Sequence, residues 1–248
     1  MGLIIAILSL LLLYALLVRG RKGHPGLEGL RGWAYAHRGL HGDGIPENSM
    51  AAFRAALEAG YGIELDVHLL KDGSLAVIHD YALARTTGCD GKIEDLTADQ
   101  LANYPLEGTG ETIPSFRDVL ALYAGKAPLI IELKAIDGNH AALCEAACKA
   151  MEGYEGPWCM ESFDPRCIRW LRLHRPDIIR GQLAENFMAA KSNPLHPVLK
   201  FGITHQMGNF LVRKFWGVQG VTWTLKSQED FDIAVKEGWL PIFEGFRP

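Results

Sequence analysis

The chain has 248 residues, 48% of them apolar and 22% charged, with a formal net charge of −4 and a pI near 6.1. That length and apolar content suffice for one sizeable core, so a single domain of barrel size is expected ahead of two. The mildly acidic balance carries no basic footprint, which excludes the nucleic-acid-binding class; no nucleic acid is expected as a partner.

Residues 3–18 (LIIAILSLLLLYALLV) are almost purely aliphatic, broken only by Ser9 and Tyr14. As a helix the run reaches roughly 24 Å, a little short of a ~30 Å hydrocarbon core, and snorkelling flanks would cover the gap. The cations Arg19, Arg21 and Lys22 follow the run instead of preceding it, and no small-residue cleavage site appears. This favours an uncleaved transmembrane anchor over residues 1–18 against a signal peptide. By the positive-inside tendency the basic flank stays cytoplasmic, so the expectation is a single-pass protein of the cell membrane with its large domain in the cytoplasm. Residues 19–32, basic and glycine-rich, read as a linker, and 33–248 as the barrel domain. Five cysteines (Cys89, Cys144, Cys148, Cys159, Cys167) at irregular spacing, with no C-x-x-C pair, indicate neither a disulfide framework nor a zinc knuckle.

Short apolar runs then alternate with capped amphipathic stretches. Strands are expected at 33–37, 62–70, 74–80, 128–134, 158–162, 178–184, 221–226 and 240–244. Asn48 or Ser49 caps a helix through Ala59 that places Phe53, Ala56 and Leu57 on one face and stops at Gly60. Ser115 with Asp118 forms a capping-box pattern ahead of Phe116, Val119, Leu120 and Tyr123. Asn139 opens the next helix, Asp164 with Pro165 another, and Ser227 with Asp230 the last. About eight strands alternating with helices in about 220 residues predict an α/β fold of the TIM type, a (β/α)8 barrel.

Chemistry in such barrels sits at the carboxyl ends of the strands. In IELDV, Glu64 and Asp66 share one face roughly 6.6 Å apart, opposite Ile63, Leu65 and Val67. In IIELK, Glu132 and Lys134 share a face in the same way. Three carboxylates in one barrel mouth repel and lose hydration at a cost of several kcal/mol unless a cation sits among them. Hard oxygen donors suit one divalent cation, Mg²⁺ or Ca²⁺; the alternative is that they are solvated or paired with Lys134. His37 and His79 each end a strand candidate and can exchange base and acid roles near neutrality. Arg38 offers a planar fork matching a phosphate and Lys134 a point charge, so the set implies an anionic phosphoester substrate.

The fragments AHRG, PENS, IELDV, KDG, IHD, RTTG, GKIEDLT, IPSF, IELK, ESFDP, WTLK and IFEGFRP, in this order from about residue 33 onward, resemble the glycerophosphodiester phosphodiesterase family. The resemblance implies Glu64, Asp66 and Glu132 as metal ligands, His37 and His79 as the acid/base pair, and Arg38 and Lys134 as phosphate contacts. Glu47 and Asn48 match family positions near the site. Helix capping and hydrogen bonds supporting the His-Arg pair explain those two equally. Trp223 matches a family tryptophan that shapes the alcohol pocket or packs as a core indole. Glu161 falls at a strand end as a rim residue, and His24, His41, His68, His140, His174, His196 and His205 receive no role. The segment RKFWGVQG is shorter than the family's, so the barrel is expected to be irregular or one strand short near 205–222.

The activity implied is metal-dependent hydrolysis of a glycerophosphodiester to sn-glycerol 3-phosphate and an alcohol. Two alternatives stand beside it: a lysophospholipase D-like enzyme acting on lysophospholipid at the membrane, and a non-catalytic barrel that binds phosphodiesters.

Overall fold

A computed structural model describes residues 2–17, 23–183 and 217–248. The chain divides into two compact units, one of Met1–Pro25 with Ala184–Gly220 and one of Gly26–Leu183 with Val221–Pro248. The described part of the first is mainly helix α1 (Gly2–Leu17), whose Ile4, Leu8 and Leu12 are exposed. Among the described residues no helix is long and apolar enough to cross a membrane. α1 has 16 residues, the same length as the apolar run read from the sequence but beginning one residue earlier, and Val18, Arg19, Arg21 and Lys22 lie outside the described residues.

The second unit is built on strands β1 (Tyr35–His37), β2 (Gly62–Leu69), β3 (Leu75–Val77), β4 (Leu129–Leu133), β5 (Trp158–Ser162), β6 (Arg180–Gln182), β7 (Val221–Leu225) and β8 (Leu240–Phe243). Their order is β6-β5-β4-β2-β1-β8-β7, and every pairing along this path is parallel. The last strand thus lies beside the first, as a sheet wrapping toward a barrel requires. One expectation needs correction. The 74–80 strand is not a barrel strand: β3 runs antiparallel against β2, with Val67 opposite Val77 and Leu69 opposite Leu75. The turn at Asp72–Gly73, where Gly73 has φ +83°, brings the chain straight back and leaves no room for a crossover helix. The described parallel path therefore has seven strands, ending at β6 and β7. Most of the segment expected to be irregular, 205–216, lies outside the described residues.

Helices α2 (Met50–Glu58), α3 (Ala84–Thr87), α4 (Phe116–Tyr123), α5 (His140–Ala150), α6 (Pro165–His174) and α7 (Gln228–Lys236) complete the unit. Side chains of Ser49, Ser115, Asp164 and Ser227 cap α2, α4, α6 and α7, each satisfying a first-turn N–H. Asn139 precedes α5 but does not cap it. Its Oδ1 accepts instead from Ile136 N at 2.9 Å, closing the loop after β4. The expected linker 19–32 contains packed structure, since Leu27 and Leu30 are buried and Tyr35 Oη donates to Leu30 O at 2.6 Å.

Strand parity divides the interior. Ala36, Ile63, Leu65, Ile131, Leu133 and Met160 face a layer that includes Phe53, Phe116, Val119, Leu143 and Leu171 from the helices. The alternate positions Tyr35, Ile130, Cys159 and Ile242 pack on one another and on Leu27 and Leu30. Two residues further along the same faces stand His37, Glu132, Glu161 and Glu244. One face of the sheet thus changes within a single two-residue step from an apolar plug to a ring of ionisable groups. Gly62 belongs to that face, where a Cβ would come within 2.9 Å of Tyr35 and Pro128, so only glycine fits below Glu64.

Candidate active site

The register of the sheet carries the acidic group. Asp66 on β2 stands opposite Glu132 on β4, and Glu132 opposite Glu161 on β5. Glu64 on β2 stands opposite His37 on β1. All four carboxylates are buried, and oxygens of Glu64, Asp66 and Glu132 lie within 4.8 Å of one another. Lys134, just beyond β4, sets its Nζ 2.9 Å from Asp66 Oδ1 and 2.8 Å from Glu132 Oε1. Asn48 Nδ2 donates to Asp66 Oδ2 at 2.8 Å, and Arg38 Nε lies 3.4 Å from the same oxygen.

Four buried carboxylates thus face two cations. Burial would raise Asp66, but Lys134 and Arg38 outweigh it and hold that carboxyl below the usual range. In the others the nearby cations are outweighed by burial and by the neighbouring carboxylates. Burial, then the charges of Asp66, Glu132 and Glu161, pushes Glu64 well up. Burial and Asp66 raise Glu132 to about 7, and burial with the charge of Glu132 raises Glu161 to about 8. A divalent cation among these oxygens would remove the repulsion, so the donor set fits a hard, oxygen-loving ion.

The loop after β1 aims the phosphate candidates. Arg38 adopts φ +53° and Gly39 φ +81°, a left-handed pair that turns the chain back over the strand end. Non-glycine residues in that region are held there by their surroundings. Here Arg38 N donates to Glu64 Oε2 at 3.2 Å, and Asn48 N to Arg38 O at 2.9 Å. A Cβ on Gly39 would come within 2.8 Å of Ala52 on α2, so the turn also needs glycine for space. Glu47 accepts from Arg38 Nη1 at 3.1 Å and from Arg85 Nη2 at 2.6 Å. It is an anion that braces an arginine.

His37 lies at the end of β1, with Nε2 3.9 Å from Glu64 Oε2 and Nδ1 2.5 Å from Glu244 Oε2. His79 differs from expectation: it follows the antiparallel β3 instead of closing a barrel strand. It is held from three sides. Ile78 N donates to Asp66 O at 3.1 Å, His68 Nε2 lies 3.2 Å from His79 O, and His79 Nδ1 lies 2.6 Å from Asp80 Oδ1. Asp80 in turn pairs with Arg85, which also holds Glu47. A chain of ion pairs and hydrogen bonds therefore runs from His79 through Asp80, Arg85 and Glu47 to Arg38.

A cavity of about 290 Å³ beside these groups is lined by His79, Glu132, Lys134, Tyr81, Ile136 and Phe163, among others. Trp223 is 39% exposed and meets Phe163 edge-on at 5.6 Å, so it is no core indole. Sequence reasoning missed Glu244, Asp80 and Arg85 and gave Glu161 only a rim position. Glu161 and Glu244 carried a usable signal, because each stands two residues beyond an inward apolar residue, as Glu132 does. His68, left without a role, is buried and paired through Nδ1 with Glu94 at 2.6 Å. His41 places a ring nitrogen near His37 and Glu244.

Comparison with known proteins agrees with this architecture. The family model described as the glycerophosphoryl diester phosphodiesterase family matches residues 37–192. A glycerophosphodiester phosphodiesterase of Caldanaerobacter subterraneus subsp. tengcongensis is 31% identical over 221 residues, spanning 82% of this chain and 89% of that protein. One from Bacillus altitudinis is 46% identical over 107 residues, covering 40% of this chain and 43% of its own length. Among solved structures, an Oleispira antarctica phosphodiesterase in complex with the product sn-glycerol-3-phosphate superposes with a TM-score of 0.72 at 23% identity, covering 88% of this chain and 94% of that one. With more than half its length matched by the family model, and with a relative of this identity and coverage, the chain belongs to the glycerophosphoryl diester phosphodiesterase family.

Proposed function

We propose that this protein hydrolyses glycerophosphodiesters to sn-glycerol 3-phosphate and an alcohol with the aid of one divalent cation. The observation that carries the reading is the juxtaposition of Glu64, Asp66 and Glu132, their oxygens within 4.8 Å, with His37 and Arg38 on the neighbouring strand end. Those three carboxylates would hold the ion, Mg²⁺ or Ca²⁺. When bound, such an ion supplies Lewis acidity that draws charge from the phosphoryl oxygens. Arg38 offers its guanidinium fork to the phosphate, and Asn48, Glu47 and Asp66 keep that fork from turning away. Lys134 adds a positive charge at the opposite wall. One of His37 and His79 takes the proton from the attacking hydroxyl, and the other returns a proton to the departing alkoxide. Glu132 and Glu161 together line the inner wall and set the charge the cation must meet.

Exposed aromatics favour a second substrate class at the same site. Tyr81 and Phe163 line the cavity, and Trp223 packs on Phe163, so an alcohol with an apolar body, as in a lysophospholipid, has a surface to rest on. A lipid substrate would also give residues 1–18 a purpose as an anchor, with the domain on the cytoplasmic side. The non-catalytic alternative is disfavoured by the complete set of ionisable groups.

The test is release of phosphate ester from glycerophosphocholine, glycerophosphoethanolamine and lysophospholipid, with and without chelator. Turnover that requires the cation is expected. Undiminished turnover in excess chelator would overturn the metal assignment, and no turnover on any of the three would overturn the activity. Protease added to intact cells should spare the domain; its digestion there would overturn the topology.

A further inference from the structure

The C-terminal motif IFEGFRP places Glu244 directly after β8, and the sheet register decides what it meets. Ala36 on β1 pairs with Phe243 on β8, and Leu225 on β7 pairs with the same Phe243. The next residue on each strand is therefore His37, Glu244 and Lys226, side by side across three adjacent strand ends. Glu244 N donates to Leu225 O at 2.9 Å, which fixes the backbone of that position. Its Oε2 lies 2.5 Å from His37 Nδ1, and its Oε1 lies 3.1 Å from Lys226 Nζ. Both carboxylate oxygens thus have a partner, and the second one prevents the group from swinging off the imidazole.

From this geometry we propose that Glu244 is a positioning residue for the phosphodiester reaction, holding His37 through Nδ1 so that Nε2 is the nitrogen presented to the substrate. The inference rests on the function proposed above. An ionised carboxylate only accepts hydrogen bonds, so the short contact places the proton on Nδ1. A neutral His37 then keeps its lone pair on Nε2, and a protonated His37 carries a transferable proton there. Glu244 therefore serves His37 as base or as acid, because in either protonation state it leaves Nε2 as the working nitrogen. Nε2 already faces the metal-ligand side, 3.9 Å from Glu64 Oε2. Glu244 is itself held at about 2, first through its hydrogen bond with His37 and then by Lys226, so it stays ionised throughout the working range. His41, His37 and Glu244 also lie within reach of a shared ion. Lys226 against the carboxylate opposes that use, and an ion on His37 would remove it from proton transfer.

The experiment compares the full-length protein with Glu244→Gln, Glu244→Asp, Glu244→Ala, His37→Ala and the His37→Ala/Glu244→Ala double variant, using glycerophosphocholine with saturating Mg²⁺ or Ca²⁺. For Glu244→Ala, kcat should fall about 10- to 100-fold, part of the 10²- to 10⁴-fold that general acid–base catalysis contributes. KM should stay within about twofold if only Nε2 presentation is lost. Glu244→Asp should recover part of the loss. The double variant should be no slower than His37→Ala alone, because Glu244 acts only through that imidazole. Independently of turnover, ¹⁵N spectra of the metal-free protein at alkaline pH should show His37 protonated on Nδ1, and Glu244→Ala should shift that tautomer toward Nε2–H. This second measurement is informative even if glycerophosphodiesters prove not to be substrates. An unchanged tautomer in Glu244→Ala would overturn the proposal, as would a double variant whose losses multiply, or a folded Glu244→Gln with both kcat and tautomer at wild-type values.

Discussion

The two histidines of the site are held by two different kinds of structure. His37 stands on a wall of parallel strand ends, where β7, β8, β1, β2 and β4 deliver Lys226, Glu244, His37, Glu64, Asp66 and Glu132 in register. His79 stands on an excursion between β3 and α4 that has its own apolar cluster, built from Leu70, Ala76, Ile78, Leu83, Ile93, Leu96, Leu101, Leu106 and Ile113. Backbone ladders position the first to within a register step; a small separate core and a relay of ion pairs position the second. The wall therefore resists local opening with the whole sheet behind it, whereas the excursion depends on a few buried aliphatics and on Arg85.

The comparison yields expectations that can break it. The largest effect belongs to the wall. Asp66→Ala removes a proposed cation ligand and leaves Lys134 and Arg38 buried without their shared partner, so turnover should fall on the order of 10³-fold or more if the ion supplies several kcal/mol. Calorimetric titration should show weakened binding of the divalent cation, and unchanged affinity would remove Asp66 from the ligand set. Next come the histidines themselves. His37→Ala and His79→Ala should each cost on the order of 10²- to 10⁴-fold with the fold intact. With an activated p-nitrophenyl phosphodiester, the variant lacking the acid should recover most of its rate, and the one lacking the base should not. Near-normal rates in both would make the two histidines structural.

Ile93→Ala tests the excursion's independence. Opening a cavity at this fully buried residue should cost roughly 2–5 kcal/mol. Hydrogen exchange should rise across residues 78–115 while β1, β2 and β4 keep their protection, and a uniform rise over both regions would show that they unfold as one. Arg85→Ala should have a smaller effect, about tenfold in kcat, by releasing Asp80 from His79 and Glu47 from Arg38; a Lys substitution, lacking the fork that spans both carboxylates, should rescue little.

The smallest effect is a pH dependence. In the folded, cation-free protein Glu161 holds its proton up to about 8, against 4.5 when unfolded. The native state thus binds the extra proton between those values, so this group's stabilisation is complete below the unfolded value and is lost as pH rises through about 8. Thermal melts of the cation-free protein should show stability falling across that window, with a flatter curve in Glu161→Gln. An equal slope in the variant would assign the dependence to other groups.

Much of this was legible in the chain. Alternation in IELDV and IIELK separated the inward carboxylates from the packed aliphatics, because a strand's side chains have period two whatever it pairs with. Ser49, Ser115, Asp164 and Ser227 marked helix starts because capping is a local exchange between one side chain and the next turn. Other features could not be read from neighbours in sequence. That the 74–80 strand folds back antiparallel, and so lifts His79 onto an excursion, depended on a tight turn at Gly73 and on the small core that receives Ile78 and Ile93. Glu244 meets His37 across 207 positions, a pairing that exists only because the last strand closes against the first. The raised values of Glu132 and Glu161 follow from burying both beside Asp66, which is a property of the sheet's register. Local sequence determined which residues could carry the chemistry, since periodicity and capping act within a few bonds. Tertiary structure decided which of them meet, since contact between strand ends is set by register and closure.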